Sequence, residues 1–377
     1  MLAQRPPMGW NSWNTFGENI SEALIMETAD AMVERGLKDA GYEYIVIDDC
    51  WSLRKRGEDG RIVPDPQKFP HGMKYLADYI HSKGLKFGMY TCAGTMTCAC
   101  YPGSYDHEFL DAQTFADWGV DYLKYDNCYV PEHVSSPMLY RRMGMALKAT
   151  GRDIIYSMCN WGCDDVHSWA RSVGGHIYRS TGDIYDNTES FRNIAISQIP
   201  KLGYSAPGCF NDVDMLICGM GGNGNVGAGG CTADEYKMHF SLWCMMNSPL
   251  MIGCDIRNCD EDTLALLKNP ALIAINQDEE ARPPIMVFRC AGYPDKSFAL
   301  FKHLSGNRYC LAHYNFHDDN SWTHMFLENF GIPETSGYTI ELFDMDTGDK
   351  YLPDDGTLNL NCPGRSCKLY EVKIVKR

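Results

Sequence analysis

The chain has 377 residues, a length typical of one large and one small domain. Of these residues 45% are hydrophobic and 22% charged, a balance typical of a globular protein. It carries 49 acidic and 34 basic side chains, so its formal net charge is −15. That charge argues against a nucleic-acid partner or an anionic membrane, because both need a basic protein face. No apolar run approaches the roughly 18 residues that a membrane span needs.

The N-terminal residues and the cysteines bear on the compartment. Residues 1–13 lack the basic and apolar regions of a signal peptide, so we expect a cytoplasmic protein. The 17 cysteines are an odd number in a long chain, and most are expected to be reduced thiols packed as small hydrophobic groups. A zinc site at Cys98 and Cys100 is disfavoured, because the sequence lacks the paired C-x₂-C motifs and companion histidines of such sites.

The first three quarters of the chain alternate short apolar runs with longer helical patterns. Strands are predicted at residues 8–13, 44–48, 85–90, 120–126, 153–158, 176–179, 209–216 and 249–253, with helices at 73–83, 111–118 and 137–149. This alternation indicates an α/β protein whose parallel sheet closes as a (β/α)8 TIM barrel over residues 1–280, followed by a second domain. An open, doubly wound sheet is the alternative.

The pattern changes after residue 276. Residues 281–284 form a linker-like break, and alternating apolar and polar residues follow, separated by turn signals such as Ser305-Gly-Asn307. Turns of this kind separate short antiparallel strands. We therefore expect a C-terminal antiparallel β-sandwich domain over residues 285–377.

Polar side chains follow most of the predicted barrel strands. The carboxyl ends of barrel strands converge on one face, where the active site of this fold lies. Any one of these side chains could be a solvated loop residue or a helix cap, but six such strand ends together favour a site. The residues are Asp48, Asp49, Tyr90, Lys124, Asp126, Cys159, Trp161, Arg179, Asp183, Asp212 and Asp214.

Lys124 and Asp126 lie on one face of a predicted strand, because alternate strand residues share a face. A lysine beside a carboxylate keeps it ionised, as a glycosidase nucleophile requires. An ion pair that only fills the barrel is the alternative. Asp183 follows another strand and supplies a second carboxylate. One ionised and one protonated carboxyl group can hydrolyse a glycoside, and the sequence alone leaves open which is which.

Six aromatic residues lie near these acids along the chain, and aromatic faces pack well against sugar rings. Each could equally be a core residue. They are Trp10, Trp13, Trp51, Tyr90, Trp161 and Tyr185.

Residues 219–224 match the G-x-G-x-x-G pattern of dinucleotide sites. Glycines continue to Gly230, however, and the next helix is predicted to begin only at the Thr232-to-Glu235 capping box. A flexible loop on the barrel rim is the favoured interpretation.

The motif segments together resemble glycoside hydrolase family 27, which contains retaining α-galactosidases and α-N-acetylgalactosaminidases. The resemblance runs in order over the whole predicted barrel. The matching segments are residues 8–13, 47–51, 69–72, 81–86, 114–126, 159–162, 179–183, 211–215 and 274–278.

The resemblance implies a role for each matching residue. Asp126 matches the nucleophile and Asp183 the general acid/base, in a mechanism without metal or cofactor whose carboxyl groups lie about 5–5.5 Å apart. Cys159 and Trp161 match an element that crowds the 2-position, which favours galactose over N-acetylgalactosamine. The remaining matches are Asp48 and Asp49 for the 4- and 6-hydroxyls, Lys124 and Arg179 for ring hydroxyls, Trp13 and Tyr90 for the pocket wall, and Asp214 for a further pocket acid.

The resemblance also bears on partners and disulfides. It implies an α-galactoside oligosaccharide as substrate and a possible homo-oligomer. Secreted members of the family carry a cysteine at the position of Glu18, paired with the match of Cys50, and the missing cysteine fits a reducing compartment. Cys98 and Cys128 match the family's second pair, so a bridge between them is possible.

Three other functions remain open at this stage. One is another glycosidase of the family, and another is a sugar-binding protein without turnover. The third is a metal-dependent barrel enzyme of the enolase type, which also gathers acids at strand ends.

Overall fold

The computed structural model describes residues 2–377. Eight parallel strands form the first sheet, in the order β7-β6-β5-β4-β3-β2-β1-β8. An isolated parallel bridge between Leu216 and Ile252 joins the segment after β7 to β8, so the sheet closes into a barrel. The strands are β1 Met8–Asn11, β2 Tyr44–Val46, β3 Lys86–Cys92, β4 Tyr122–Asp126, β5 Ile155–Cys159, β6 Ile177–Arg179, β7 Phe210–Asp212 and β8 Leu250–Ile252.

Helices follow the barrel strands, as the alternating pattern predicts. They are α1 Trp13–Phe16, α2 Glu22–Glu34, α3 Gly72–Ser82, α4 Glu108–Trp118, α5 Ser136–Ala149, α6 Val166–Trp169, α7 Thr188–Gln198, α8 Ala233–Met245, α9 Glu261–Leu267 and α10 Pro270–Asn276. Short 3₁₀ helices cover Cys163–Asp165, Ala170–Val173, Ile199–Tyr204, Leu327–Phe330 and Glu334–Ser336. The predicted barrel is thus confirmed, and the open-sheet alternative is wrong. None of the helices among residues 2–377 has the length and apolar character needed to cross a membrane.

β2 and β7 are among the strands that end earlier than predicted, and after each of them an acidic side chain binds the departing backbone. β2 ends at Val46, and the Asp49 amide donates to the Asp48 carboxylate at 3.0 Å. β7 ends at Asp212, whose carboxylate accepts from the Asp214 amide at 2.9 Å. Local hydrogen bonds of this kind compete with the sheet ladder, and they turn the acids toward the barrel mouth.

The capping box predicted at the start of α8 is present. The Thr232 side chain accepts from the Glu235 amide, and the Glu235 carboxylate accepts from the Thr232 amide at 2.8 Å. The glycine-rich segment before it is therefore a loop that ends at a capped helix. A dinucleotide site needs a helix that opens directly on the glycines, so that interpretation is excluded.

An antiparallel domain follows the barrel. Six of its strands form one sheet in the order β15-β14-β18-β11-β10-β9. The pairs β12–β17 and β13–β16 continue along the same two segments, 321–326 and 357–362, which we call the ribbon. The strands are β9 Ile285–Arg289, β10 Ser297–Leu304, β11 Arg308–Asn315, β12 Ser321–Trp322, β13 Met325–Phe326, β14 Tyr338–Asp344, β15 Lys350–Tyr351, β16 Thr357–Leu358, β17 Asn361–Cys362 and β18 Ser366–Lys376.

The ribbon covers one face of the six-stranded sheet. Its inward side chains, such as Met325 and Leu360, share a buried core with Phe301 and Ile340 of that sheet. The opposite face of the sheet contributes Phe298 and other residues to the core of the barrel. Each layer thus buries its apolar face against a neighbour, which is what an amphipathic sheet needs to be stable.

A buried lysine joins the sheet to the barrel. Lys302 of β10 is fully buried, and its ammonium group donates to the carbonyl oxygens of Cys244 at 3.2 Å and Ile275 at 2.9 Å and to the Asn247 amide oxygen. Burial lowers the pKa of Lys302 to about 8. Three acceptors satisfy its three donors, so this contact orients the two sheets with no unpaired ammonium hydrogen.

Candidate active site

The carboxyl ends of the barrel strands surround one open pocket. Of the eleven site residues predicted from the sequence, all but Cys159 line it. Asn14, Cys98, Ile184, Met215 and Val226 complete the wall. The predicted residues present are Trp13, Asp48, Asp49, Tyr90, Lys124, Asp126, Trp161, Arg179, Asp183 and Asp214.

Asp126 ends β4 and is only 6% exposed. One carboxylate oxygen accepts from the Tyr90 hydroxyl at 2.9 Å, and the other accepts from the Asn127 amide at 2.9 Å. Burial raises the pKa of Asp126, and the charges of Lys124 and Arg179 oppose that rise. The carboxylate is therefore held in one orientation by two donors at the pocket floor.

Lys124 binds a different carboxylate from the one the strand pattern suggests. Its ammonium group lies 2.8 Å from Asp48, which also accepts from the Asn11 amide at 2.8 Å. The predicted partner, Asp126, receives only the longer-range field of Lys124. The lysine also lies 5.3 Å from the Tyr90 ring centroid, a cation–π distance. The ion pair of Lys124 is therefore with Asp48, whereas its charge still acts to lower the pKa of Asp126, as expected for two side chains on one face of the strand.

Asp49 is held by the loop after β3. Its carboxylate accepts from the Ala99 amide at 3.0 Å and from the Cys50 amide at 2.7 Å. Burial raises the pKa of Asp49, against these hydrogen bonds. Two neighbouring carboxyl groups, Asp48 and Asp49, thus face the pocket on one side.

Arg179 links the acids on the other side of the pocket. Its guanidinium forms an ion pair with Asp183 and lies 3.5 Å from the Asp214 carboxylate. Burial acts to raise the pKa of Asp183, but the charge of Arg179, its hydrogen bond and the charge of Lys124 together hold that pKa below its usual value. The Asp183 side chain is 61% exposed, so it stands at the pocket mouth, whereas Arg179 is buried.

Cys159 lies in a smaller cavity beneath the pocket rather than in its wall. Lys124 and Arg179 separate the two spaces and line both. Asp212 also faces this lower cavity, and burial together with the charge of Asp214 raises the pKa of Asp212 to about 6. Asp214 and Met215 also line both spaces, so the two cavities adjoin, and a contact of Cys159 with the 2-position of the sugar stays a prediction.

The aromatic residues divide between pocket and core. Trp161 lines the pocket with a positive φ of 60°, and Tyr185 is 53% exposed. Trp10 and Trp51 are buried, and their indole N–H groups donate to the carbonyl oxygens of Cys254 and Tyr90. For these two tryptophans the core alternative was correct.

Sequence reasoning missed the contribution of the glycine-rich loop to the pocket. Val226 of this loop lines the wall, and its amide donates to the Asn14 carbonyl at 3.2 Å. Asp186, three residues after Asp183, is fully buried and accepts from the Gly222 amide at 2.6 Å and the Tyr236 hydroxyl at 3.0 Å. The only sequence signal was an acid close to the strand end, which does not reveal its loop partner.

Replacement of Asp186 by asparagine should loosen this loop. An amide is neutral and has one acceptor oxygen where the carboxylate has two, so the charge-assisted bonds to the Gly222 amide and the Tyr236 hydroxyl become weaker. We therefore expect a loss of about 1.5–3 kcal/mol of unfolding free energy and a raised KM. Urea unfolding and steady-state kinetics check both effects. Tyr236→Phe removes only the hydroxyl bonds and should lose about 1 kcal/mol. Unchanged stability and KM in Asp186→Asn would show that the loop is held by other contacts.

A disulfide lies beside Asp126. Cys98 and Cys128 are bonded, with their Cα atoms 5.2 Å apart, and the Cys98 sulfur is 3.9 Å from the Asp126 carboxylate. Among residues 2–377, these three form the one group of metal-binding residue types whose ligand atoms lie within 4.8 Å of one another. Disulfide sulfurs offer no thiolate, so this group does not fit a metal ion.

A lysine joins the backbone segments of Glu18 and Cys50. Cys50 is a free, buried thiol. The Lys68 ammonium donates to the carbonyl oxygens of Glu18 at 2.8 Å and Cys50 at 2.9 Å. A cation thus joins the two backbone segments that the resemblance implies would otherwise be cross-linked.

A (β/α)8 barrel with paired carboxyl groups, flanking acids and aromatic side chains in one pocket defines a glycoside hydrolase. The family model described as alpha galactosidase A (Melibiase_2) matches residues 5–278. The chain belongs to this α-galactosidase family.

Individual relatives agree with this assignment. Alpha-galactosidase 3 of Arabidopsis thaliana is 51% identical over 318 residues, which are 83% of this chain and 69% of that protein. The crystal structure of α-galactosidase I from Mortierella vinacea superposes with a TM-score of 0.89 at 34% identity and covers 98% of this chain and 97% of its own. The structure of the Saccharomyces cerevisiae enzyme with raffinose superposes with a TM-score of 0.88 at 30% identity, covering 99% and 98%.

Proposed function

We propose that the chain is a retaining exo-α-galactosidase, which removes terminal α-linked galactose from oligosaccharides or glycoconjugates. The observation that carries the proposal is the single pocket in which Asp126 and Asp183 occur together with the Asp48–Lys124 pair. The names of the relatives support galactose as the sugar, and one neighbouring structure contains raffinose, an α-galactoside.

The proposed reaction has two displacements. The Asp126 carboxylate attacks the anomeric carbon while the bond from that carbon to the leaving oxygen breaks, and Asp183 gives its proton to the leaving oxygen. Asp183 then takes a proton from water, the water oxygen bonds to the anomeric carbon, and Asp126 leaves as a carboxylate. Two inversions give net retention, and the carboxyl groups are expected to lie about 5–5.5 Å apart.

Substrate binding must favour the protonated form of Asp183 before the first step. Arg179 keeps the pKa of this carboxyl low, whereas a general acid has to carry a proton. We propose that sugar hydroxyls replace Asp183 as acceptors for the guanidinium. The freed carboxyl group, next to the desolvating sugar, then becomes a better proton carrier. Asp126 keeps its two hydrogen-bond donors throughout and stays oriented for attack.

The decisive experiment is hydrolysis of 4-nitrophenyl α-galactoside beside the corresponding α-N-acetylgalactosaminide, with EDTA present. Release from the galactoside alone, with the α-anomer of galactose as first product in an NMR time course, would support the proposal. Preference for the acetamido sugar would show that the 2-position is open despite Trp161. A β-anomer as first product would contradict retention, and loss of activity with EDTA would favour the metal-dependent alternative.

Replacement of Arg179 by glutamine should move the pH profile. The arginine lowers the pKa of Asp183, so its removal raises that pKa and extends the protonated form to higher pH. The alkaline limb of kcat/KM for methyl α-galactoside, whose poor leaving group needs the acid, should shift to higher pH. KM should also rise, because a hydroxyl partner is lost.

The matched control for this prediction is Arg192→Gln. Arg192 lies in α7 and pairs with Glu189, outside the pocket. Its removal should leave the profile unchanged. An unmoved alkaline limb in Arg179→Gln would mean that Asp183 does not set that limb.

A further inference from the structure

The outer face of the ribbon carries a row of exposed aromatic side chains. Trp322 is 62% exposed, Phe326 is 49% exposed, and His324 between them is exposed as well. The intervening residues Thr323 and Met325 are buried. The strand thus alternates strictly between a buried inner face and an exposed outer face. The outer face carries aromatic side chains, although packing of the ribbon against the sheet does not require them there.

A parallel row of polar side chains lies beside the aromatic one. Trp322 pairs with Asn361 and Phe326 with Thr357 across the ribbon, which places Asn359 opposite His324. We call these three pairs the ribbon platform. Its rings supply stacking surfaces, and its amide and hydroxyl groups supply hydrogen bonds next to each ring.

One contact fixes the hydrogen-bonding character of the centre. The His324 Nδ1 atom lies 3.0 Å from the Asn359 amide oxygen. A neutral imidazole and an amide each offer a hydrogen-bond donor and an acceptor, so the pair keeps donors and acceptors side by side in either tautomer of His324. A donor and an acceptor side by side match the hydroxyl groups of a sugar, each of which can donate and accept.

We infer that the ribbon platform binds a neutral polysaccharide. Successive exposed positions on a strand are about 6.7 Å apart, so three of them span about 13 Å, more than one sugar ring. The His324 and Phe326 rings have centroids 5.0 Å apart and planes at 81°. Rings that are not coplanar suit a twisted, soluble polysaccharide and not the flat surface of a crystalline one.

Charge and area favour this ligand over a second copy of the protein. Carboxylate, ammonium and guanidinium groups do not occur among the platform residues, whereas the chain carries a net charge of −15 that opposes self-association. Covering the three rings would bury on the order of 500 Å². A stable protein interface buries about 800 Å² on each partner.

The choice of a polysaccharide that carries α-galactosyl branches, a galactomannan, rests on the proposed function. Binding at the ribbon platform would hold the enzyme on a polymer while the barrel pocket removes its terminal galactose. The platform needs no catalytic residue, so binding and turnover can be measured separately.

Native electrophoresis in gels with and without galactomannan tests the inference. The full chain with Asp126→Asn is used so that the polymer is not digested, and the unmodified chain is run beside it. Trp322→Ala and Phe326→Ala should each weaken the retardation by up to about 10-fold, the loss of one stacked ring. Tyr338→Ala is the matched control, because Tyr338 is 41% exposed on the same domain but outside the platform.

The outcomes are distinguishable. Retardation that is unchanged in Trp322→Ala and Phe326→Ala, or equally lost in Tyr338→Ala, overturns the inference. A dimer in sedimentation equilibrium that Trp322→Ala dissociates, without retardation by the polymer, would assign the face to a second copy. If retardation depends on Trp322 while the unmodified chain does not hydrolyse 4-nitrophenyl α-galactoside, the platform is supported and the proposed function fails.

Discussion

Asp126→Asn should lower kcat for every α-galactoside by about 10⁴-fold or more, with little change in stability. The amide has nearly the shape of the carboxylate. Its oxygen can still accept from the Asn127 backbone N–H, and its NH2 group can donate to the Tyr90 hydroxyl oxygen in place of the present bond. An amide is a poor nucleophile, however, and the covalent intermediate cannot form at a useful rate. Steady-state kinetics and thermal unfolding of the variant measure the two quantities.

A second variant identifies the nucleophile directly. Asp126→Gly opens space for azide, which should attack the anomeric carbon from the same side and restore turnover with a β-galactosyl azide as product. Asp39→Asn, a change of the same kind at an exposed position, should retain full activity. If azide restores no turnover to Asp126→Gly, or if Asp126→Asn retains more than a few per cent of the activity, a different residue is the nucleophile.

Asp183→Ala should have an effect that depends on the leaving group. For methyl α-galactoside the loss of the proton donor should lower kcat/KM by about 10²–10⁴-fold. For 2,4-dinitrophenyl α-galactoside, whose leaving group needs no proton, the first step should be nearly normal and hydrolysis of the intermediate should become limiting. A burst of dinitrophenol followed by slow turnover is the expected time course.

Azide distinguishes the role of Asp183 from that of Asp126. In Asp183→Ala it should replace the water that can no longer be deprotonated, and it should yield an α-galactosyl azide of retained configuration. Equal losses on the two substrates, without a burst, would mean that Asp183 binds the sugar but does not transfer a proton.

The pKa shifts of the two carboxyl groups run opposite to what their proposed roles need. Burial raises the pKa of Asp126, and Arg179 lowers that of Asp183. In the empty pocket both pKa shifts thus oppose the proposed roles. Substrate binding has to reverse this order, which is why the Arg179–Asp183 ion pair, on the exposed side of the pocket, is the contact expected to break.

The order of elements was predictable from the sequence because local rules specify it. Apolar runs of strand length alternate with amphipathic helices that end in glycine, and parallel strands joined in this way close into a barrel. The capping box at Thr232 and the change of pattern near residue 281 were equally local. Motif spacing then placed most pocket residues at strand ends, where a barrel brings them together.

The partner of each charged group could not be predicted in this way. Lys124 binds Asp48, 76 residues away, and not its strand neighbour Asp126, because the turn after β2 brings Asp48 within reach of β4 past the intervening strand β3. Cys159 points into the lower cavity and Asp186 holds a loop more than 30 residues away, since both depend on how neighbouring strand ends pack. The two-residue period of a strand specifies the face on which each side chain lies. It does not give the distance from that side chain to those on another strand.

The sequence by itself therefore determined the architecture and the family, and it is the source of the proposal that Asp126 and Asp183 are the reacting carboxyl groups. Strand period, helix signals and motif order are properties of neighbouring residues, and they survive without three-dimensional information. Only the tertiary structure decided the ion pairs, the directions of the pKa shifts and the exposed aromatic row on the ribbon. These depend on burial and on distances between segments remote in sequence, and both exist only after the chain has packed.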